Sequence, residues 1–305
     1  MEPILAPLVL TIIAQPWPLL VNAQAALLRR CCMGRKLIQG REIGEKLPGS
    51  IRGEISDLDS HILSLATEAD RFHCITNYQG AEADALRNVW AISNALIHTS
   101  RLTLHRVCAF PDRPIFFDNP SDFLAAEVNR TSSGPIQDFR LSASQRAGLN
   151  SFFPFTESES IWICLHSSLV VSRVFRRLPP PNPNYSDATI DVTTAVPWTS
   201  RRLLSSPRSI PYMAGCQLQS FYTLAMLLRQ VHTAMYSGTI SSYEYLLNRP
   251  SAITDMQDAE RLMEELQSGM EALGKSIKAD AVFGGVEWMS KEVEKVHEEN
   301  LGKYI

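Results

Sequence analysis

The residues able to do chemistry form a short set. Gly269 to Ser276, GMEALGKS, matches G-x-x-x-x-G-K-S, the glycine-rich turn whose backbone amides cradle phosphate. Such a turn needs a buried strand before it and amides that point at the ligand. Here AERLMEELQS precedes it with helical spacing, and Met270, Ala272, Leu273 and Ile277 continue the same helix. Glu271 would also set a carboxylate beside the phosphates. The stretch therefore reads as helix interior, not as a nucleotide site. His98 and His105 are seven residues apart, which on a helix is about 10.5 Å along the axis, too far for one metal ion. His166, His232 and the serines suggest no nucleophile–base pair, and there is no G-x-S-x-G. No catalytic, metal or cofactor residue is assigned.

Six cysteines, Cys31, Cys32, Cys74, Cys108, Cys164 and Cys216, show neither C-x-x-C nor zinc-ligand spacing. They read as reduced, mostly buried thiols rather than a secreted disulfide framework. Asn129 and Asn184 begin glycosylation triplets, which carry weight only behind a secretory signal. The apolar run Ile4 to Val21 is no such signal, because Glu2 replaces a basic start and Pro3, Pro7, Pro16 and Pro18 break it. It is also no membrane span.

What remains are polar residues on helix faces. In Ala81 to His105, Arg87, Ala91, Asn94, His98, Arg101 and His105 follow in steps of 4, 3, 4, 3 and 4. Opposite them Leu86, Val89, Trp90, Ile92, Leu96, Ile97, Leu104 and Val107 make a broad apolar arc. The spacing predicts a solvated or partner-facing stripe on the fold's anchor helix, with Leu96 at the centre of the buried side. Ser160 to Leu178 repeats the pattern, with His166, Arg173 and Arg177 on its polar side. The candidate partner- or effector-facing residues are His98, Arg101, His105, Arg173 and Arg177.

The elements that must position them are helical throughout. Leu19–Lys36 reads as a helix with a basic end. Glycines at 40, 44, 49 and 53 mark a loop over 37–56, and Asp57–Arg71 is the next helix. After the anchor helix come a proline-rich connection, a short helix near Ser121 and a loop over Arg130–Pro154. Thr156 and Glu159 form a capping box, and Pro179-Pro180-Pro181 stops the helix they open. A Pro/Ser-rich loop spans 179–210. Pro211–Ser237 holds a helix closed by Gly238, and Ser242–Asn248 one more turn. Asp255–Lys278 is amphipathic, Gly284-Gly285 breaks it, and Trp288–Leu301 is the last helix. With no period-two segment and no repeat, the expected fold is all-α: an irregular helical bundle with long Pro/Ser-rich loops, a single domain over 1–305.

Composition narrows function. At 305 residues, 45% hydrophobic and 20% charged, the chain can bury a sizeable core. The net charge of −3 gives no basic excess for neutralising phosphates, so no direct DNA binding is expected from this chain alone.

Four stretches in order, ALRNVWAISNALIHTSRLTLHR, SIWICLHSSLVVSRVFRRLPPPNP, IPYMAGCQLQSFYTLAML and AERLMEELQSGMEALGKSIKADAVFGGVEWMSKEV, resemble the regulatory middle homology region of the fungal zinc-cluster transcription factors. The family's Leu-His pair at a helix end corresponds to Leu104-His105, and its Cys-x-x-Gln-x-x-Tyr-like stretch to Cys216, Gln219 and Tyr222. The resemblance covers roughly Leu19 to Val293. It implies a nuclear regulatory domain, not an enzyme, controlling RNA polymerase II transcription. Its partners would be proteins of the transcription machinery, with a small-molecule effector as a further candidate. The six cysteines lack the spacing of the family's zinc cluster, so the resemblance implies an N-terminally truncated member with no cofactor in this chain. The rival expectation is a helical enzyme or small-molecule-binding protein with a buried pocket between helices.

Overall fold

The computed structural model describes residues 16–43, 50–73, 81–110, 153–178, 212–238, 256–281 and 286–301. These form seven helices: α1 (Pro16–Ile43), α2 (Ser50–His73), α3 (Ala81–Ala109), α4 (Glu157–Arg177), α5 (Tyr212–Tyr236), α6 (Met256–Asp280) and α7 (Glu287–Leu301). The fold is all-α, and no strand occurs among the described residues. No helix among them is long and apolar enough to cross a membrane. The short helix near Ser121, the 179–210 loop, the turn at Ser242–Asn248 and Gly284-Gly285 lie outside the described residues.

Local chemistry sets the helix ends. Thr156 is the N-cap of α4: its hydroxyl accepts from the Glu159 amide at 3.2 Å, and Glu159 Oε2 accepts from the Thr156 amide at 2.8 Å. At the other end Leu178 turns extended, as the residue before a proline must. Gly238 closes α5 in the left-handed region at φ 67, its amide donating to Met235 O.

One stretch departs from its expected form. Within 37–56 the described residues are helical: α1 runs on to Ile43 and α2 begins at Ser50, so Gly40 and Gly53 are helical, while 44–49 lie outside the described residues. A glycine costs a helix about 1 kcal/mol relative to alanine. Burial of Ile51 and Ile55 on the inner side of α2 outweighs that at Gly53.

The helices form two groups joined by α4. α3 is enclosed by α1, α2, α4 and α5, while α6 packs on α4, α5 and α7. α4 runs antiparallel to α3: Ser160 meets His105, and the Cys164 thiol reaches Leu102 O. A continuous core joins Leu96 and Ile97 of α3 through Cys164 and Val171 of α4 to Phe221 and Leu224 of α5 and Leu266 and Leu273 of α6.

The Gly-Lys-Ser stretch lies inside α6. Lys275 pairs with Glu271 one turn back at 2.7 Å, an ordinary i,i+4 contact on an exposed face. Its two glycines differ. A Cβ on Gly269 would stand 2.9 Å from Leu224 Cδ1 and 3.4 Å from Ser172 Oγ, so Gly269 is where α6 closes on α4 and α5. A Cβ on Gly274 would meet only Val293 Cγ1, at 3.4 Å. Gly274→Ala is therefore expected to be neutral or to stabilise by up to ~1 kcal/mol through helix propensity. Gly269→Ala is expected to destabilise by about 1–3 kcal/mol through overpacking. Urea denaturation of the two variants checks the pair, and equal effects would refute the difference in packing.

Candidate functional site

The polar stripe of α3 is not a surface. His98, Arg101 and His105 are 4%, 9% and 0% exposed, so the expected partner-facing reading of these three is corrected. Ala91 and Asn94 are buried with them, while Val89, Trp90, Ile92 and Val107 of the apolar arc are only half-buried. The physical reason is that helical spacing separates polar from apolar sides. It does not say whether the polar side meets water or a neighbouring helix that brings matching groups.

The matching group is Asp59 of α2. Arg101 donates to both its oxygens, from Nε to Oδ1 at 2.8 Å and from an Nη to Oδ2 at 3.2 Å. His105 Nε2 lies 3.0 Å from the same Oδ1, and its Nδ1 lies 3.3 Å from Ser160 Oγ. Those partners assign the tautomer: Nε2–H donates to the carboxylate and Nδ1 accepts from the serine hydroxyl. Phe155 covers the imidazole at a ring distance of 4.6 Å, and Phe153 meets it edge-on at 6.0 Å.

Burial pushes the Asp59 carboxyl up, but hydrogen bonds from His105 and Arg101 outweigh it and hold the pKa at about 2. Burial lowers His105 below its ordinary value against the pull of Asp59, whose single charge Arg101 already matches. His105 is therefore neutral at physiological pH. Two turns back from His105, His98 stands 6.0 Å from the ring of His166, on which Trp162 stacks at 5.5 Å. Burial, then the neighbouring His166 and Arg101, depress His98 to about 3.

These shifts give a pH dependence. The unfolded chain takes up a proton at His98 as pH falls below 6.5, while the folded ring resists until about 3. Stability is thus full above pH 6.5 and declines through that window, with His105 adding in the same direction. Asp59 contributes stability above its ordinary 3.8, and this is lost as pH falls through about 2. Between pH 7.5 and 5, His98 alone is expected to cost about 2 kcal/mol, at about 1.36 kcal/mol per pH unit. Urea midpoints at the two pH values measure it, and an unchanged midpoint would contradict the burial of a neutral ring.

Asp59, His105 and Ser160 stand in the order of a hydrolytic triad. Their packing does not suit that chemistry. Ser160 and His105 have no exposure, and two phenyl rings seal the imidazole. Arg101 occupies both carboxylate oxygens, which weakens any support Asp59 could give an imidazolium. A substrate carbonyl has no route to Ser160 Oγ in this packing. What the group does is join three helices.

Polar ties of the same kind link α3 to its other neighbours. Arg30 of α1 donates to Thr103 O at 2.8 Å, Trp90 donates to Ala69 O of α2 at 2.7 Å, and Arg106 donates to Gln219 of α5. Beyond α3, Gln217 donates to Asp280 of α6 at 2.7 Å, and Tyr222 to Glu292 of α7 at 3.0 Å. Arg173 and Arg177 are exposed as expected. Arg173 pairs with Glu265 of α6 at 2.5 Å, and Arg176 donates to Ser268.

The structure thus brings His98, Arg101 and His105 together in the interior and leaves Arg173 and Arg177 on the outer side of α4. The sequence pattern places Asp59 only within the Asp57–Arg71 helix and assigns it no partner. Its signal was available: Ile55, Asp59, Ile62, Ala66 and Ala69 follow in steps of 4, 3, 4 and 3, a carboxylate on an otherwise apolar stripe.

Of the cysteines, Cys108, Cys164 and Cys216 are buried free thiols and Cys32 is an exposed one. Burial raises the Cys108 and Cys164 thiols and pushes Cys216 up to about 11, which makes all three poor nucleophiles. No group of three or more His, Cys, Asp or Glu among the described residues is placed to hold a metal. An open groove of about 500 Å³ lies where α5, α6 and α7 meet, lined by Leu228, Glu264, Gln267, Ser268, Met270, Glu271 and His297. No family model, no curated protein and no solved structure matches the chain.

Proposed function

We propose that this chain is a non-enzymatic regulatory domain of the fungal zinc-cluster transcription-factor type, nuclear, and acting on RNA polymerase II transcription through protein contacts. One observation carries the reading. The residues on which the resemblance rests are interhelical ties of one core: His105 to Asp59 and Ser160, Gln219 to Arg106, and Tyr222 to Glu292, with Cys216 buried beside them. A motif that fixes helices to one another belongs to a scaffold whose function lies on its surface. The zinc cluster that reads DNA in that family has no counterpart in these residues, and the net charge of −3 gives no substitute.

Fusion to a heterologous DNA-binding domain, upstream of a reporter, tests this. The fusion is expected to change reporter output severalfold relative to the DNA-binding domain alone, and Leu96→Ala, which weakens the core, is expected to abolish the change. The unfused chain is expected to give no salt-resistant, sequence-dependent band shift. A folded fusion with no effect on the reporter, together with ester hydrolysis lost on Ser160→Ala, would refute the proposal. A second reading, a small-molecule-binding helical protein, is favoured by the groove around Leu228 and Met270, whose rim carries Glu264, Glu271 and His297. Thermal shift against a metabolite set tests it, with Gln267→Trp, at an exposed position of the groove lining, as control.

A further inference from the structure

α1 is apolar on two opposite sides. Leu19, Ala23, Ala26, Arg30 and Met33 follow in steps of 4, 3, 4 and 3 and are buried, on the side that meets α2 and α3. About half a turn round, Val21, Ala25, Leu28 and Cys32 follow in steps of 4, 3 and 4 and are all exposed, Val21 by 61% and Leu28 by 67%. A helix packed on one side needs only one apolar face. The second face has the 3–4 spacing of a seam that another helix fills knob into hole. It runs about 17 Å from Val21 to Cys32.

The charge around the seam selects what fits it. Exposed Asn22 and Gln24 flank it without charge, and exposed Arg29 stands on its rim. Apart from Arg30, which is buried against α3, the helix sequence carries Arg29, Arg35, Lys36 and Arg41 against Glu42 alone, four cations to one anion, or +3. Two copies of α1 seated on each other in parallel would bring like charges together. Three turns of seam also fall short of the ~800 Å² per partner of a standard stable interface, so the contact belongs to the small, transient class.

We propose that the outer face of α1 docks an acidic amphipathic helix of another protein. Its leucine-type seam would lie on Val21, Ala25 and Leu28, and its carboxylates would face Arg29. This surface is read from the helix itself and stands independently of the transcriptional reading above.

The probe is a labelled peptide of about three heptads, with leucine at a and d and glutamate at e and g. Fluorescence anisotropy with the full chain is expected to show saturable binding in the micromolar range. Leu28→Glu is expected to weaken it by at least about tenfold while leaving helicity and Tm unchanged, since Leu28 is exposed. Val21→Glu should do the same, and Arg29→Glu or added salt should weaken binding severalfold. A matched peptide with lysine at e and g is expected to bind at least about tenfold less well. Three results would overturn the proposal: no binding of the glutamate peptide, equal binding of both peptides, or a chain that sediments as a dimer and becomes monomeric on Leu28→Glu. The last would make a second copy the occupant.

Discussion

Asp59→Ala is expected to lower the unfolding free energy by about 3–5 kcal/mol, the range for removing one partner of a buried ion pair. The loss has a specific origin. Arg101 is 9% exposed and has both its carboxylate contacts in Asp59, so its guanidinium would be left without a carboxylate. His105 loses the acceptor of its Nε2–H in the same step. Asp59→Asn keeps the shape and an oxygen for His105 but not the charge, so it is expected to cost nearly as much. The double variant Asp59→Ala/Arg101→Met is expected to recover much of the loss, because an apolar pair carries no stranded charge. Against a total stability of about 5–15 kcal/mol for ordinary domains, either single change puts the fold near its threshold. Urea denaturation at neutral pH measures the cycle. A cost under about 1 kcal/mol for Asp59→Ala would place the pair in solvent.

Leu96→Ala is expected to cost about 2–5 kcal/mol. Leu96 has no exposure and sits on the long central helix enclosed by four others. Ile92→Val, at a half-buried position of the same arc, is expected to cost about 0.5–1.5 kcal/mol at most. α3 differs from an ordinary amphipathic helix in that its other side is also buried. Replacing His98 and Arg101 by alanine is therefore expected to destabilise strongly, where a solvated stripe would change stability by under about 0.5 kcal/mol. A small effect from that pair beside a large one from Leu96 would return the polar stripe to the surface.

The sequence disclosed elements whose ends carry local chemistry. The Thr156–Glu159 box, the proline run after Leu178, Gly238 and the leucine seam of α6 each announce themselves within a few residues. It also disclosed that Gly269 to Ser276 is helix, since apolar spacing passes through it. It did not disclose the helices over 37–43 and 50–56, because the glycines there speak locally while the burial of Ile51 and Ile55 is tertiary. Nor did it disclose the destination of the polar stripe. Arg101 meets Asp59 across 42 residues, and His105 meets Ser160 across 55. No spacing rule on one helix contains that information, although the carboxylate on the apolar stripe of α2 is the trace such a pairing leaves. The open outer face of α1 leaves a similar trace, two apolar sides on one helix.

The burial of the polar side of α3 inside the fold is tested most directly by an NMR pH titration of the histidine rings. Seven histidines can be followed, with His98→Gln and His105→Gln variants supplying the assignments. The His98 ring is expected to hold one chemical shift from pH 8 down to about 4, because its pKa is depressed to about 3. The His105 ring is predicted to titrate below its ordinary 6.5. A His98 ring that titrates near 6.5 in the folded chain would contradict the account, because only a solvated imidazole keeps its ordinary value beside a guanidinium and a second histidine.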